Sequence, residues 1–475
     1  MHETLDLLSV LGDARIVGVL PSRFESIVTD SRDSTSGSLY VALRGARVDG
    51  HHFAHVAVEK GAVAVVAERE IAVDVPQLIV ADTRVAISRL ADAFYGRPSQ
   101  ALRIAGITGT NGKTTTTHLV RAICEAAGEP CGLIGTLGAA FADRKWPLDN
   151  TTPLALELHA VLAALRDAGA RDVAMEVSSH ALALGRVEDV RFAVAALTNL
   201  TRDHLDFHGT IDRYAAAKRR LFDLAPLAVL NADDPWGAKF AAGLPGAITY
   251  AIDAPATVRA QNVELDGDGS HFQVDGTDVH TMLPGRFNVR NALAAFAIGR
   301  AFGFADAAIA RGIAATRAVP GRMERIGAFG IDAIVDYAHT PDALENVLRA
   351  ARETAKRKLI VVFGCGGDRD PGKRAEMGTI AAALADRVIV TSDNPRSEDP
   401  LTIAQAVADG IKADIVLDRR RAIRRAINEA VAGDVVVIAG KGHETYQIVG
   451  AQTLPFDDRD EVRAAFAERA AAAAR

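Results

Sequence analysis

The sequence predicts an α/β protein of three domains, with a mostly parallel sheet in the central one. Three observations predict it. The chain has 475 residues, about three times the ~150 of a common domain. Short apolar strands alternate with helical segments along most of it, a pattern that sets parallel sheets between helices. Gly96-Arg97-Pro98 and Pro320-Gly321 punctuate that alternation, and such clusters mark boundaries. The domains expected are therefore 1–97, 98–319 and 320–475.

Composition narrows the class. Hydrophobic residues make up 49% and charged residues 24%, enough apolar material for sizeable cores. The 60 acidic and 54 basic residues leave a net charge of −6, the wrong sign for a general nucleic-acid coat. Cys124, Cys131 and Cys365 form no CxxC pair, which argues against a disulfide framework or a cysteine zinc site. MHETLDLLSV lacks the basic-then-apolar order of a secretory leader. No apolar run approaches the ~18 residues of a membrane span. A cytoplasmic protein, without a membrane span or a nucleic-acid partner, is expected.

In the first domain, 39–43 and 62–66 are β-type apolar runs, and 83–95 has helical spacing through Val85, Ile87, Leu90 and Phe94. In the second, strands at 104–107, 173–177, 194–198 and 228–230 run into the polar clusters TGTNGKT, SSH, NLTRDH and NADD. Ligands of open parallel sheets bind beyond the carboxyl ends of strands, where these clusters fall. Between 258 and 283, short strands separated by DGDGS and DGT predict antiparallel hairpins. In the third domain, strands at 331–335, 359–363, 388–391 and 435–438 each precede a charged loop, and an Ala-rich helix ends the chain. The basic runs 356–358 and 419–421 are expected on solvated helix faces.

The stretch GITGTNGKTTTTHLV, 106–120, joins a strand to a helix that closes near Gly128. Glycines let backbone N–H groups turn toward an anion, and the helix N-terminus adds its positive dipole end. Lys113 would reach the outer phosphates and the Thr114 hydroxyl would ligate Mg²⁺. In the common G-x-x-x-x-G-K-[ST] pattern the first glycine would fall at Ile107; here the glycines are Gly106, Gly109 and Gly112. The loop is a variant of that class. Glu176, His204 and Lys218 sit at or after neighbouring strand ends. A carboxylate and an imidazole near a γ-phosphate suit Mg²⁺, because such a site needs cations to offset its charge. A lone histidine like His204 serves a surface or a core as readily; four clusters at successive strand ends favour the ligand reading.

With these residues in view, the chain resembles the Mur ligases, the ATP-dependent amide-bond synthetases of peptidoglycan assembly. The resemblance spans nearly the whole chain: TDSR, GTNGKTT, NTTP, EVSSHAL, TNLTRDHLDFHG, RFNVRNALAA, PGRME, VDYAHTPDAL, FGCGGDRDPGKR, DNPRSEDP and KGHETYQ. It is strongest to the members that add the third peptide residue, and DNPR resembles the form that selects meso-diaminopimelate over lysine. The resemblance implies a UDP-substrate-binding N-terminal domain, a central P-loop ATPase domain and a C-terminal Rossmann-like domain that binds the amino acid. It implies ATP and Mg²⁺ as cofactors, a UDP-N-acetylmuramoyl dipeptide and meso-diaminopimelate as substrates, and a monomer.

Residue by residue, the resemblance puts the ATP phosphates on Gly109, Thr110, Asn111, Gly112, Lys113, Thr114 and Thr115. It gives Asn291, Arg322 and Asp336 to the nucleotide. Glu176 and His204 would ligate Mg²⁺ with Thr114. Lys218 matches a lysine carbamylated in this family, whose added carboxylate binds a second Mg²⁺. Ser31, Ala46, Arg47 and Val48, with Thr151, Thr152, Ser178 and Arg186, match positions that hold the UDP-muramoyl dipeptide. Arg369, Asp393, Asn394, Pro395, Arg396, Gly440 and Glu444 match the diaminopimelate site. Thr29 and Leu184 depart from the pattern, standing where relatives can carry leucine and glutamine.

The chemistry suits this set. Joining a carboxylate to an amine in water is uphill, so ATP first converts the acid to an acyl phosphate that the amine attacks. That needs in-line placement and cations over the gathering charge, supplied by Lys113, His204 and Mg²⁺. Bidentate arginines, Arg369 and Arg396, suit carboxylates, and Glu444 suits the distal ammonium. Three other readings stay open: a lysine-adding ligase, a folylpolyglutamate-synthetase-like ligase, which TDSR and DNPR disfavour, and a P-loop NTPase that drives shape change.

Overall fold

The computed structural model describes residues 2–45, 48–267 and 269–473. The chain packs as two compact units. One comprises Met1–Thr108, Gly128–Ala195 and Ala217–Ala228; the other comprises Gly109–Ala127, Ala196–Ala216 and Val229–Arg475.

The first unit opens with a five-stranded sheet, in the order Arg15–Val17, Gln77–Ile79, Ala62–Ala67, Ser38–Val41 and Ser26–Val28. All its pairings are parallel except that of Arg15–Val17. Alternate residues of the inner strands point to opposite faces. Leu39, Val41, Ala64 and Val66 meet Ile87 and Leu90 of the helix Thr83–Phe94, while Tyr40, Val65 and Ala67 meet Ala54 and Ala57 of the helix Ala54–Glu59. The unit also holds the strands Arg103–Thr108, Asp172–Glu176 and Cys131–Gly135, which run parallel, and the antiparallel Gly138–Phe141 and Arg144–Trp146. Register sets Glu176 opposite Ile107, so that carboxylate stands at the carboxyl end of the sheet.

The second unit begins with the loop 109–112 and the helix Lys113–Ala126. The helix Arg286–Ala301 is buried along most of its length. A Cβ on Gly312 would run into the backbone of Ile123, so the helix Asp306–Ala315 lies directly on Lys113–Ala126. The strands Gln261–Asp266, Gly269–Val274 and Thr277–Thr281 form the expected antiparallel sheet. A six-stranded sheet follows in the order Glu324–Ala328, Ile331–Asp336, Val435–Ala439, Leu359–Phe363, Arg387–Val390 and Asp414–Ile415. It is parallel beyond its first strand. Helices Pro341–Thr354, Lys373–Leu384 and Pro400–Ala408 cover one face, and Arg419–Glu429 and Asp458–Ala473 cover the other. Among the described residues no helix is long and apolar enough to cross a membrane.

One expectation is corrected here. The run 419–421 is not uniformly solvated: Arg420 and Arg421 are exposed, but Arg419 is fully buried against Asp458. Residues 356–358 are exposed as expected, yet they follow the helix that ends at Thr354 instead of lying on it.

Between the helices Thr83–Phe94 and Ala155–Asp167 lies His159, fully buried, with Nδ1 3.5 Å from Asp92 Oδ1. Burial pulls His159 down to about 4. Burial and the nearby Asp189 push Asp92 up to about 6, against Arg97. Unfolded, the two groups titrate near ~6.5 and ~3.9. The unfolded imidazole takes a proton that the folded one refuses, so its effect on stability grows with pH between about 4 and 6.5. The folded carboxyl keeps a proton that the unfolded one releases, so its effect weakens stability as pH rises between about 4 and 6. The two slopes oppose. Asp92→Asn removes the second, and its melting midpoint is expected to climb more steeply than the wild type's from about pH 4.5 to 6.5. Parallel melting curves across that range would show that the pair does not titrate in this way.

Candidate active site

The loop 109–112 is made by close backbone approaches. Gly109 has φ +152 and Gly112 has φ +86; a Cβ on Gly109 would strike Thr198 Oγ1, and one on Gly112 would strike Asn291 Oδ1. Asn199 reads the loop from beside it: its carbonyl accepts from Thr110 N at 2.9 Å and its Oδ1 accepts from Asn111 N at 2.9 Å. Thr198 Oγ1 and Asn199 Nδ2 donate to the Asn111 carbonyl. The helix Lys113–Ala126 has no side-chain cap, so its first amides face outward with the positive end of the dipole. Lys113 Nζ lies over the loop, donating to the Gly109 and Thr110 carbonyls at 2.9 Å each. Thr114 and Thr115 are buried in the first turn.

At the end of the strand Arg103–Thr108, two further predicted residues meet in the first unit. Glu176, 1% exposed, accepts from Thr136 N at 2.9 Å and from Thr136 Oγ1 at 3.0 Å. Lys218, also 1% exposed, has Nζ 3.4 Å from Thr108 Oγ1. Thr152 Oγ1 donates to the Glu176 carbonyl and accepts from Ser178 N. Arg186 donates to the Thr152 carbonyl, Thr151 shares a hydrogen bond with Thr136, and Ser178 caps the helix Ser179–Ala183. Thr151, Thr152, Ser178 and Arg186 thus form one group around Glu176. Ser31 is buried in the turn Ser31–Asp33, and Val48 is exposed. Ala46 and Arg47 lie outside the described residues.

In the second unit His204 adopts the left-handed conformation, φ +54, and its Nε2 lies 3.2 Å from Asp203 Oδ2. Burial pushes the Asp203 carboxyl up; His204, His339 and Lys373 outweigh it and hold the group at about 2. Arg322 donates to Thr114 Oγ1 at 3.0 Å, and its guanidinium lies 4.7 Å from the centre of the Tyr337 ring. Asp336 contributes indirectly. Its oxygens accept from Met323 N at 2.8 Å and Ala338 N at 2.7 Å, which fixes the turn that carries Arg322. Asn291 is buried beside Gly112 and donates to Asn288.

The predicted amino-acid residues also converge. Lys441, fully buried, donates to Asn394 Oδ1 at 2.9 Å, lies 3.2 Å from Asp393 Oδ1 and 3.3 Å from Glu444 Oε2. Asn394 Nδ2 donates to Glu444 Oε2, and Tyr337 OH reaches Glu444 Oε1 at 3.4 Å. Two carboxylates therefore share one ammonium. Burial raises both; Lys441 and Arg419 pull Asp393 below the usual range, while Glu444 stays above it. Arg396 is left-handed, φ +52, and donates to the Gly367 carbonyl at 2.9 Å. The Pro395 carbonyl lies where a Cβ on Gly367 would fall. Gly440 has φ +118. Arg369 is exposed at the rim. His204, Met323, Asp368 and Arg396 all hold positive φ without being glycine, and such strain gathers where loops are shaped for a ligand.

A line of contacts joins the two ends of this site: Thr114 to Arg322, Arg322 to Tyr337, Tyr337 to Glu444. Asn111 Nδ2 adds a bond to Asp342 Oδ2 at 2.8 Å. Sequence reading passes over Asn199, Asp203, Tyr337, His339, Asp342 and Lys441 as individual residues, although all six sit inside the quoted motifs. Thr136 belongs to no motif, and nothing in the sequence signals it. Among the described residues no three His, Cys, Asp or Glu side chains gather into a ready-made metal cage.

Known proteins resemble this chain along most of its length. Family models match at residues 23–95 (Mur ligase family, catalytic domain), 107–299 (Mur ligase middle domain) and 321–442 (Mur ligase, glutamate ligase domain). The chain is 49% identical over 461 residues to the UDP-N-acetylmuramoyl-L-alanyl-D-glutamate--2,6-diaminopimelate ligase of Geobacillus thermodenitrificans (strain NG80-2), covering 93% of this chain and 94% of that one. A solved structure of a UDP-N-acetylmuramoyl-L-alanyl-D-glutamate--2,6-diaminopimelate ligase matches with TM-score 0.67 at 36% identity, over 94% of this chain and 95% of that one. The MurF ligase of Thermotoga maritima in complex with ADP shares the fold, with TM-score 0.67 at 19% identity over 94% and 97% of the two chains. Three matched domains in order, and near-half identity along almost the full length of a relative, establish that the chain belongs to the Mur ligase family.

Proposed function

We propose that the protein joins meso-2,6-diaminopimelate to UDP-N-acetylmuramoyl-L-alanyl-D-glutamate at the expense of ATP, in the cytoplasmic synthesis of peptidoglycan precursors. The observation that carries this reading is the charge balance at Lys441. Buried Asp393 and half-buried Glu444 share one ammonium. A buried net negative charge calls for a cation, and an amino-acid substrate brings one. Arg396 and Arg369 would receive its carboxylates. The line of contacts from Glu444 through Tyr337 and Arg322 to Thr114 supports a pocket on the same side as the phosphate loop.

In this reading the work would divide at the limits expected from the sequence: 1–97 would serve the UDP end, 98–319 ATP, and 320–475 the amino acid. Loop amides 109–115 and Lys113 would hold the phosphates. Thr151, Thr152, Ser178 and Arg186 would orient the muramoyl dipeptide so that its terminal carboxylate meets the γ-phosphorus in line. The carboxylate displaces ADP to form an acyl phosphate. The incoming amine attacks that carbonyl, loses a proton and expels phosphate. Arg322 and His204 would offset the charge that gathers as the phosphoryl group moves.

The oxygen donors suit Mg²⁺, which keeps waters and phosphate oxygens and takes only one or two carboxylates from protein, so no closed cage is required. Glu176 and Thr114, with His204, would hold it, and a carbamate formed on Lys218 would hold a second. Bound there, Mg²⁺ would neutralise and orient the phosphate oxygens. Lys218 is buried within reach of Thr108, which follows the Ile107 that stands opposite Glu176.

ADP release should require both the UDP-muramoyl dipeptide and meso-diaminopimelate. Release with neither would make the protein a simple NTPase, and a preference for lysine would make it the lysine-adding form. Arg396→Ala is expected to raise the KM for diaminopimelate by roughly tenfold or more and leave the KM for ATP unchanged; equal effects on both would remove Arg396 from the amino-acid pocket. Lys218→Ala should lower kcat by roughly 100-fold or more, and added short carboxylic acids should restore part of it. Activity untouched by those acids would argue that no carboxylate is needed at that position.

A further inference from the structure

Arg419 sits in an unfavourable place for an arginine. It is the first residue of the helix Arg419–Glu429, where the dipole repels a cation. It is fully buried, as is its partner Asp458. Nε and Nη2 donate to the two Asp458 oxygens at 2.7 Å each, while Nη1 is buried with no hydrogen-bond partner among the described residues. A buried ion pair is weak as a source of stability, because desolvation offsets the attraction, and an unmet donor adds to its cost. Its geometry therefore needs another explanation.

That explanation lies on the other side of the guanidinium. Nη2 also donates to the Ala439 carbonyl at 2.9 Å, at the end of the strand Val435–Ala439. Gly440 and Lys441 follow immediately. A Cβ on Gly440 would stand 2.9 Å from Asp393 Oδ2 and 3.9 Å from Arg419 Nη2. The guanidinium thus lies directly behind the backbone that carries Lys441 and beside the carboxylate that faces it.

We propose that Arg419, locked in place by Asp458, is a positioning residue for the amino-acid pocket: it fixes the Ala439–Lys441 backbone and the Asp393 carboxylate in the arrangement that receives the substrate's ammonium. The inference rests on the diaminopimelate reading above. It predicts a defect confined to the amino-acid substrate.

The test removes both charges together. Asp393, Glu444 and Lys441 keep their balance in the double variant Arg419→Met, Asp458→Leu, and paired apolar replacement of a buried ion pair usually preserves the fold. The KM for meso-diaminopimelate is expected to rise roughly tenfold, with the KM for ATP within about twofold of wild type. Arg419→Lys keeps a charge on Asp458 but lacks the fork that also reaches Ala439. It should show the same selective defect in smaller degree, and it decides the matter if the double variant does not fold. A wild-type diaminopimelate KM in Arg419→Lys, or a parallel rise in both KM values in either variant, would overturn the proposal. Wild-type protein is assayed alongside. Absence of diaminopimelate-dependent ADP release there defeats the functional reading itself, whereas robust wild-type turnover with unaltered variants defeats only the role of Arg419.

Discussion

The approach of two backbones at the phosphate loop is the constraint on which the rest of the site depends. Gly109 and Gly112 lie where Thr198 Oγ1 and Asn291 Oδ1 leave no room for a Cβ. That closeness lets Asn199 bind the loop with its own carbonyl and amide. The loop is held from outside, so its amides and the uncapped helix end are left to face an anion. A site built this way gathers negative charge. Arg322 on Thr114 sets a cation beside the first turn of that helix.

The amino-acid end obeys the same arithmetic with the signs reversed. Asp393 and Glu444 outnumber Lys441, with Asp393 buried and Glu444 half-buried. Arg419 helps to lower Asp393, but its two short hydrogen bonds to a carboxylate go to Asp458. The pocket's loops carry left-handed non-glycine residues, Asp368 and Arg396, a cost that packing alone does not require. Tyr337 stands between the two ends, with Arg322 against its ring and Glu444 on its hydroxyl. Tyr337 therefore links Arg322 to Glu444.

Much of this was legible in the sequence because it is local. Gly109 and Gly112 announce their loop through backbone freedom, and the strands before them through apolar runs of the right length. Glu176 was legible because its strand ends where the motif says it should, and the register then sets it opposite Ile107. Thr136 was not, because its two bonds to Glu176 arise from a turn 40 residues away with no pattern of its own. Arg419 was misread for the same reason. Three arginines at a helix start look alike from their neighbours; Asp458, 39 residues on, buries one of them.

The sequence by itself determined the class of fold, the phosphate loop and the residue types that the two ends of the site require. These follow from backbone sterics and from hydrophobic period, which act over a few residues. Tertiary structure alone decided which charges are buried and which partner each one finds. Asp336 was set under the turn that carries Arg322, Lys441 was set between two carboxylates, and Arg419 was sealed against Asp458. Burial depends on segments far apart in the chain, and the balance between desolvation and pairing exists only once they have met.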